Sequence, residues 1–187
     1  MSLYEFLLFV HVAGAVVWLG GAFFAQAYAV VVQRGGDPRE MAVFAGRASR
    51  LAERLFVPAS LIVLLAGVGL MIEGSWEWSQ LWGVFALVTF AASFVTGLFH
   101  ISPLGKRIAE VGPETAEGQV LIGKLFRHLR VDLLFMYAIV FAMTVKPTSD
   151  DTWAILVVAL ILLAGSVVFL RGIRETGAPE ASPSATH

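Results

Sequence analysis

Five apolar stretches divide this chain, each at or near the roughly 20 helical residues that cross a bilayer core about 30 Å thick. They run over about residues 3–33, 55–72, 81–101, 131–145 and 153–170. The fourth is short, but Arg130 and Lys146 bound it, and their long stems can carry the charges to the interface. Composition points the same way: 58% of the residues are hydrophobic and 14% charged, whereas about a quarter of a soluble domain is charged. Such a chain cannot cover a water-facing surface. The expected fold is an all-α polytopic membrane protein. Glu5 stands where a cleavable signal peptide would carry its basic leader, so the first helix is expected to stay in the membrane.

Charge placement gives the expected orientation. Arg34, Arg39, Arg47, Arg50 and Arg54 lie around the first connection, and Lys106, Arg107, Lys124, Arg127 and Arg130 around the third. With Arg171 and Arg174, twelve of the thirteen Lys and Arg fall on one side. The positive-inside rule makes that side cytoplasmic, with the N-terminus outside and the C-terminus in the cytoplasm of a bacterial inner membrane. Trp76, Trp78, Trp82 and Trp153 read as an interfacial belt on the other side.

The two basic connections look alike. Around Arg34-Gly35-Gly36-Asp37-Pro38-Arg39-Glu40, a helix stop is followed by an Asp cap, Pro at the first helical position and a Glu closing a capping box. Glu110-Val111-Gly112-Pro113-Glu114 gives a second stop and restart. Four helices of about 33 residues, about 50 Å long, then form two antiparallel hairpins whose basic ends project past the membrane. A fifth transmembrane helix packs on this four-helix bundle. Pro58 is expected to kink the second helix. Residues 1–175 form one domain, and the Ala-, Pro- and Ser-rich tail over 176–187 is expected to be disordered.

Several chemistries are excluded. Zero cysteines remove disulfides, thiolate metal sites and cysteine nucleophiles. A net charge of −1 leaves no field for nucleic acid. No phosphate-binding glycine loop, HExxH pair or serine-nucleophile elbow is present. The remaining partner classes are membrane lipid, a redox partner or quinone, and a second copy of the chain.

His11 is the sharpest single signal. It lies about eight residues, near 12 Å, below the outer end of the first helix. An ionisable group at that depth is expensive and by default functional. Gly14, Trp18 and Gly21 share its face, so a flat macrocycle could approach the small residues and stack on the tryptophan. A neutral imidazole is the usual protein ligand of haem iron. The alternative is a histidine bonded to a neighbouring helix, with the glycines serving helix packing. Met136 and Met143 on the fourth helix bracket the depth of His11 and are candidate second ligands.

A second polar layer lies deeper. Counting from the outer ends, His100 and His128 reach about 30 and 27 Å, so they are level. They could clamp one haem, with Arg127, Arg130 or Lys124 pairing its propionates. Alternatively, with Asp132 and Glu53, they could hold a divalent metal. His11 lies about 15 Å or more above them and cannot share an iron with either. Ordinary interfacial anchoring is the competing explanation for both histidines.

His11, Trp18, Gly20-Gly21 and Phe23-Phe24 resemble the first-helix signature of CopD-like copper-resistance membrane proteins and HemJ-type protoporphyrinogen oxidases. Pro58-Ala59 with Gly67-Val68-Gly69-Leu70, and Phe126-Arg127 leading to Lys146-Pro147, are similar to the second and fourth helices of that group. The likeness spans about residues 6–147 and is strongest to the group's integral membrane proteins of unknown function. It implies a bundle of at least four helices and, in the oxidase branch, a b-type haem on the histidine matching His11. The oxidase branch carries Asn-Glu-x-Pro after its Phe-Arg, whereas Arg130-Val131-Asp132-Leu133 stands here. Copper handling would call for Met- and His-rich outer loops, which this chain lacks. The leading expectation is haem binding through His11 for electron transfer or sensing. The alternatives are a porphyrin or quinone oxidoreductase at the His100, Arg127 and His128 layer, and a cofactor-free or metal-handling membrane protein.

Overall fold

The structure, a computed structural model, describes residues 1–174. The tail expected to be disordered, including His187, lies outside the described residues. Four long apolar helices dominate: α1 Leu3–Gly35, α2 Pro38–Glu73, α3 Leu81–Val111 and α4 Ala116–Val145. Their lengths of 33, 36, 31 and 30 residues correspond to about 45–54 Å, well past the thickness of a bilayer core. A further helix, α5, runs over Thr152–Arg174 and packs on α4. Phe141 and Trp153 meet edge-on there, with centroids 6.3 Å apart.

Local chemistry sets the helix ends. Glu5 is the third residue of a capping box: its N–H donates to Ser2 Oγ at 3.2 Å, and the Ser2 N–H donates to Glu5 Oε2 at 2.8 Å. Gly36 ends α1 in the left-handed region, at φ +70°. Asp37 then caps α2 by accepting the Arg39 N–H at 2.8 Å. That bond goes to the second helical residue, so the cap is not the reciprocal box with Glu40 that the sequence suggests. Between α3 and α4, Gly112 turns at φ +88° and Thr115 caps α4 by accepting the Gly118 N–H at 3.0 Å.

Two helices widen in mid-course. In α2, over Ala52–Phe56, the Val57 N–H reaches back five residues to the Ala52 carbonyl. In α3, over Gly97–Ile101, the Ser102 N–H does the same to Gly97. A proline, Pro58 or Pro103, follows each of these π-turns directly. Proline has no N–H to give the carbonyl four residues back, and its ring crowds that carbonyl, so an enlarged turn ahead of it relieves both conflicts. The kink expected at Pro58 thus takes the form of a π-turn, and Pro103 has a matching one.

The core has two parts. At the basic end Ala29, Val32, Phe44, Ala45, Ile108, Leu121, Ile122, Leu125 and Phe126 pack together. The outward faces there carry Arg47, Arg50, Arg107 and Glu117, so this end is built like a water-soluble bundle. Further along, Trp18, Ala59, Ala86, Phe90, Met136 and Ile139 form a second cluster. Around that level, Phe9, Val16, Phe24 and Leu65 point outward with exposures of 67–72%, which only lipid can cover without penalty. The protein is a multi-pass integral membrane protein in a lipid environment.

The tryptophan end is closed by a cation. Lys146 Nζ lies 4.0 Å from the Trp76 ring centroid and 5.1 Å from that of Trp82. The two rings meet edge-on at 5.6 Å. Lys146 therefore ties α4 to the α2–α3 connection instead of simply snorkelling to water. Lys146→Met is expected to lose about 0.5–1 kcal/mol, the usual value for an exposed cation over aromatic rings, and to lower the melting temperature without altering helix content by circular dichroism. Next to it, Asp151 accepts the Thr148 backbone N–H and then the Thr148 hydroxyl, both at 2.9 Å. These bonds hold its carboxyl below the usual range. Because the folded value is depressed, the turn's contribution is present above the ordinary carboxylate pKa and is lost as pH falls through the lowered one.

Candidate functional site

Three places carry chemistry, and they lie on different seams of the bundle. The first is His11, half-buried between α1 and α2. Its Nδ1–H donates to the Val63 carbonyl across the seam at 2.8 Å. A carbonyl can only accept, so Nδ1 carries the proton of this bond, and in a neutral ring the lone pair is that of Nε2. Gly67 makes room for the ring: a Cβ there would stand 3.0 Å from His11 Cε1.

The small residues on the same face are covered by α2. A Cβ on Gly14 would lie 2.9 Å from Val63 Cγ2, and one on Gly21 would lie 2.6 Å from Phe56 Cε1. Their smallness lets the two helices approach closely. Trp18, 7% exposed, points into the mid-bundle cluster and tilts against Phe90 at 5.5 Å. Met136 lies in that cluster too, and Met143 packs against it. Because α1 and α4 run antiparallel, His11, seven residues before Trp18, is level with Met143, seven residues after Met136.

The second place is the α3–α4 seam. The rings of His100 and His128 lie 5.7 Å apart, inclined at 37°. Depth counting along the sequence puts these two residues level, and the structure brings them together beside Arg127. Glu53 and Asp132 do not complete a metal site with them. Among the described residues, no three His, Asp or Glu side chains gather as a metal site. Asp132 is drawn away by Ser93, whose hydroxyl donates to its carboxylate.

The third place went unseen in the sequence. A cavity of about 510 Å³ opens between the two π-turns. Trp18, Phe56, Phe90, Phe94 and Met136 give it an apolar, mainly aromatic wall. Asp132 and Ser93 enter from α4 and α3, and Gln26 from α1. Arg50, Glu53 and Lys106 are the exposed charged members of the lining. The Gln26 Oε1 atom is buried without a hydrogen-bond partner. Pro58 and Pro103 were the available signal, since each sits at the same offset behind an enlarged turn. Of the candidate ligands read from the sequence, Trp18 and Met136 line this cavity, while His11, His100 and His128 do not.

The family model described as "Predicted integral membrane protein (DUF2269)" matches residues 5–147, nearly the whole of α1 through α4. Neither a curated protein nor a solved structure matches the chain. With four apolar helices of membrane-spanning length and a match over most of its length, the chain belongs to the DUF2269 family of integral membrane proteins.

Proposed function

We propose that this protein holds b-type haem through His11 and serves electron transfer or haem-linked sensing in a bacterial inner membrane. The bond from His11 Nδ1 to the Val63 carbonyl supports this most directly. A metal-binding histidine usually gives its other N–H to a carbonyl, which orients the ring and raises its basicity. In that respect the residues fit a haem-binding histidine, and Met143 would be the candidate second residue to hold the group. Gly14 and Gly21 offer no slot for a macrocycle, because Val63 and Phe56 cover them. Bound haem would supply a one-electron carrier; the chain's part is to fix the imidazole and keep water away from it.

The likeness to CopD-like and HemJ-type proteins supports the choice of His11. Twelve of thirteen cations on one side support a cytoplasmic C-terminus, with α5 as a fifth crossing. A second reading rests on the His100–His128 contact. In it the two rings and Arg127 serve a porphyrin or quinone oxidoreductase at the basic end.

Optical spectra of His11→Ala and of His100→Ala/His128→Ala, after reconstitution with haem, separate the two. Loss of the haem band in His11→Ala alone is the expected result. A band that survives there and vanishes in the double variant would overturn the assignment to His11.

A further inference from the structure

We propose that the cavity between the two π-turns binds a membrane-soluble hydroquinone, an aromatic ring with a hydroxyl at each of two opposite edges. None of His11, His100 and His128 lines this site, and it does not rest on the haem assignment. Its volume, about 510 Å³, is that of a pocket for a compact cofactor-sized molecule. Its walls are aromatic: Trp18 and Phe90 are tilted at 5.5 Å, and Phe90 and Phe94 are stacked at 6.0 Å. Flat rings pack well on such walls.

The polar groups in the wall define the other half of the ligand. Asp132 presents a carboxylate of which Ser93 engages one oxygen. Gln26 presents an Oε1 that is buried and without a partner. A buried acceptor without a donor calls for an explanation, and a ligand hydroxyl supplies one. Asp132 lies four residues, about 6 Å, from Met136 toward the basic end, and Gln26 eight residues, about 12 Å, from Trp18 in the same direction. Met136 and Trp18 share one cluster. The two acceptors are therefore offset by about 6 Å along the bundle, which suits one ring donating from opposite edges.

The backbone contributes too. Both π-turns open on this space, and π-turns inside α-helices are frequent at functional sites. At one of them Gly97 lines the cavity, and a Cβ there would meet nothing within 4 Å. A first side-chain atom at position 97, on the cavity's lining, would therefore meet no clash.

The test uses the full chain in lipid nanodiscs and equilibrium dialysis against 1,4-naphthohydroquinone, kept reduced, with empty nanodiscs as the partition control. Saturable binding of one molecule per chain is expected. The dimethyl ether of the same ring, which has acceptors only, should bind at least tenfold more weakly. Asp132→Leu should weaken the hydroquinone by at least tenfold, since hydrogen bonds to a carboxylate are about twice as strong as neutral ones. Gly97→Phe should abolish binding, and it guards against the chance that Asp132→Leu fails to fold. Equal binding of the ether would make the cavity an acyl-chain or general apolar slot and overturn the proposal. Uptake no greater than in empty nanodiscs, or undiminished binding in Gly97→Phe, would overturn it as well.

Discussion

Phe126→Ala is expected to cost about 3–5 kcal/mol, the usual penalty for emptying a fully packed aromatic site. Phe126 is 1% exposed and lies at the centre of the basic-end cluster. Its ring meets that of Phe44 at 5.5 Å, and Phe44 in turn meets Tyr28 at 5.6 Å, so three helices lean on one another there. The environment makes the loss large. Within the bilayer, moving an apolar side chain from lipid to protein yields no hydrophobic gain, and only packing remains. At the basic end the outward faces carry Arg47, Arg50, Arg107 and Glu117, as a water-facing bundle does, so the ring is expected to contribute transfer energy as well as its contacts. Phe90→Ala, at a buried ring of the mid-bundle cluster within the apolar span, should cost markedly less. Thermal unfolding of the two variants in one detergent would compare them, and equal losses would contradict the division of the core.

Gly118→Ala carries the second large effect, about 3 kcal/mol, at the top of the range for overpacking. Gly118 is the third residue of α4, and its N–H is taken by the Thr115 cap. A Cβ there would stand 2.2 Å from the Gly112 carbonyl oxygen and 3.0 Å from Pro113 Cα. Both are backbone atoms of the turn, which cannot rotate aside as a side chain would. Relief requires the α3–α4 connection to open, and that pulls Gln119 from its bond to the Pro113 carbonyl at 2.6 Å. Limited proteolysis should then cut near residue 112 in the variant and not in the wild type. An unchanged cleavage pattern and melting temperature would contradict the tight turn. By contrast Gly123→Ala, with nothing within 4 Å of its Cβ, should be neutral or slightly stabilising.

The elements legible in the sequence are those set by one-dimensional rules. Apolar length gave the helices, and Gly36 and Gly112 marked the turns at which α1–α2 and α3–α4 fold into hairpins. Counting at 1.5 Å per residue put His100 level with His128 before any contact was known. What it did not give was rotation. Asp132 is one turn from His128 along α4, which by sequence places the two together, yet it bonds Ser93 on α3 and lines the cavity. Ser93 itself is a small residue in an apolar helix and carries no outward signal. The glycines beside His11 were legible as a small-residue face, but whether such a face admits a cofactor or a helix depends on what packs over it. Here Val63 and Phe56 do. The cavity depended on two prolines acting in the same way at matching offsets, a relation visible only once both helices face each other.

The proposed ligation of haem by His11 makes a definite spectroscopic demand. It is tested most directly by optical spectra, oxidised and dithionite-reduced, of the purified, detergent-solubilised full chain and of His11→Ala, both with haem supplied during expression. The expected result is a strong band at about 400 nm in the wild type that shifts on reduction, as for protein-ligated haem, and its loss in His11→Ala. A protein that folds, purifies as a single species and shows no such band after haem supplementation would contradict it.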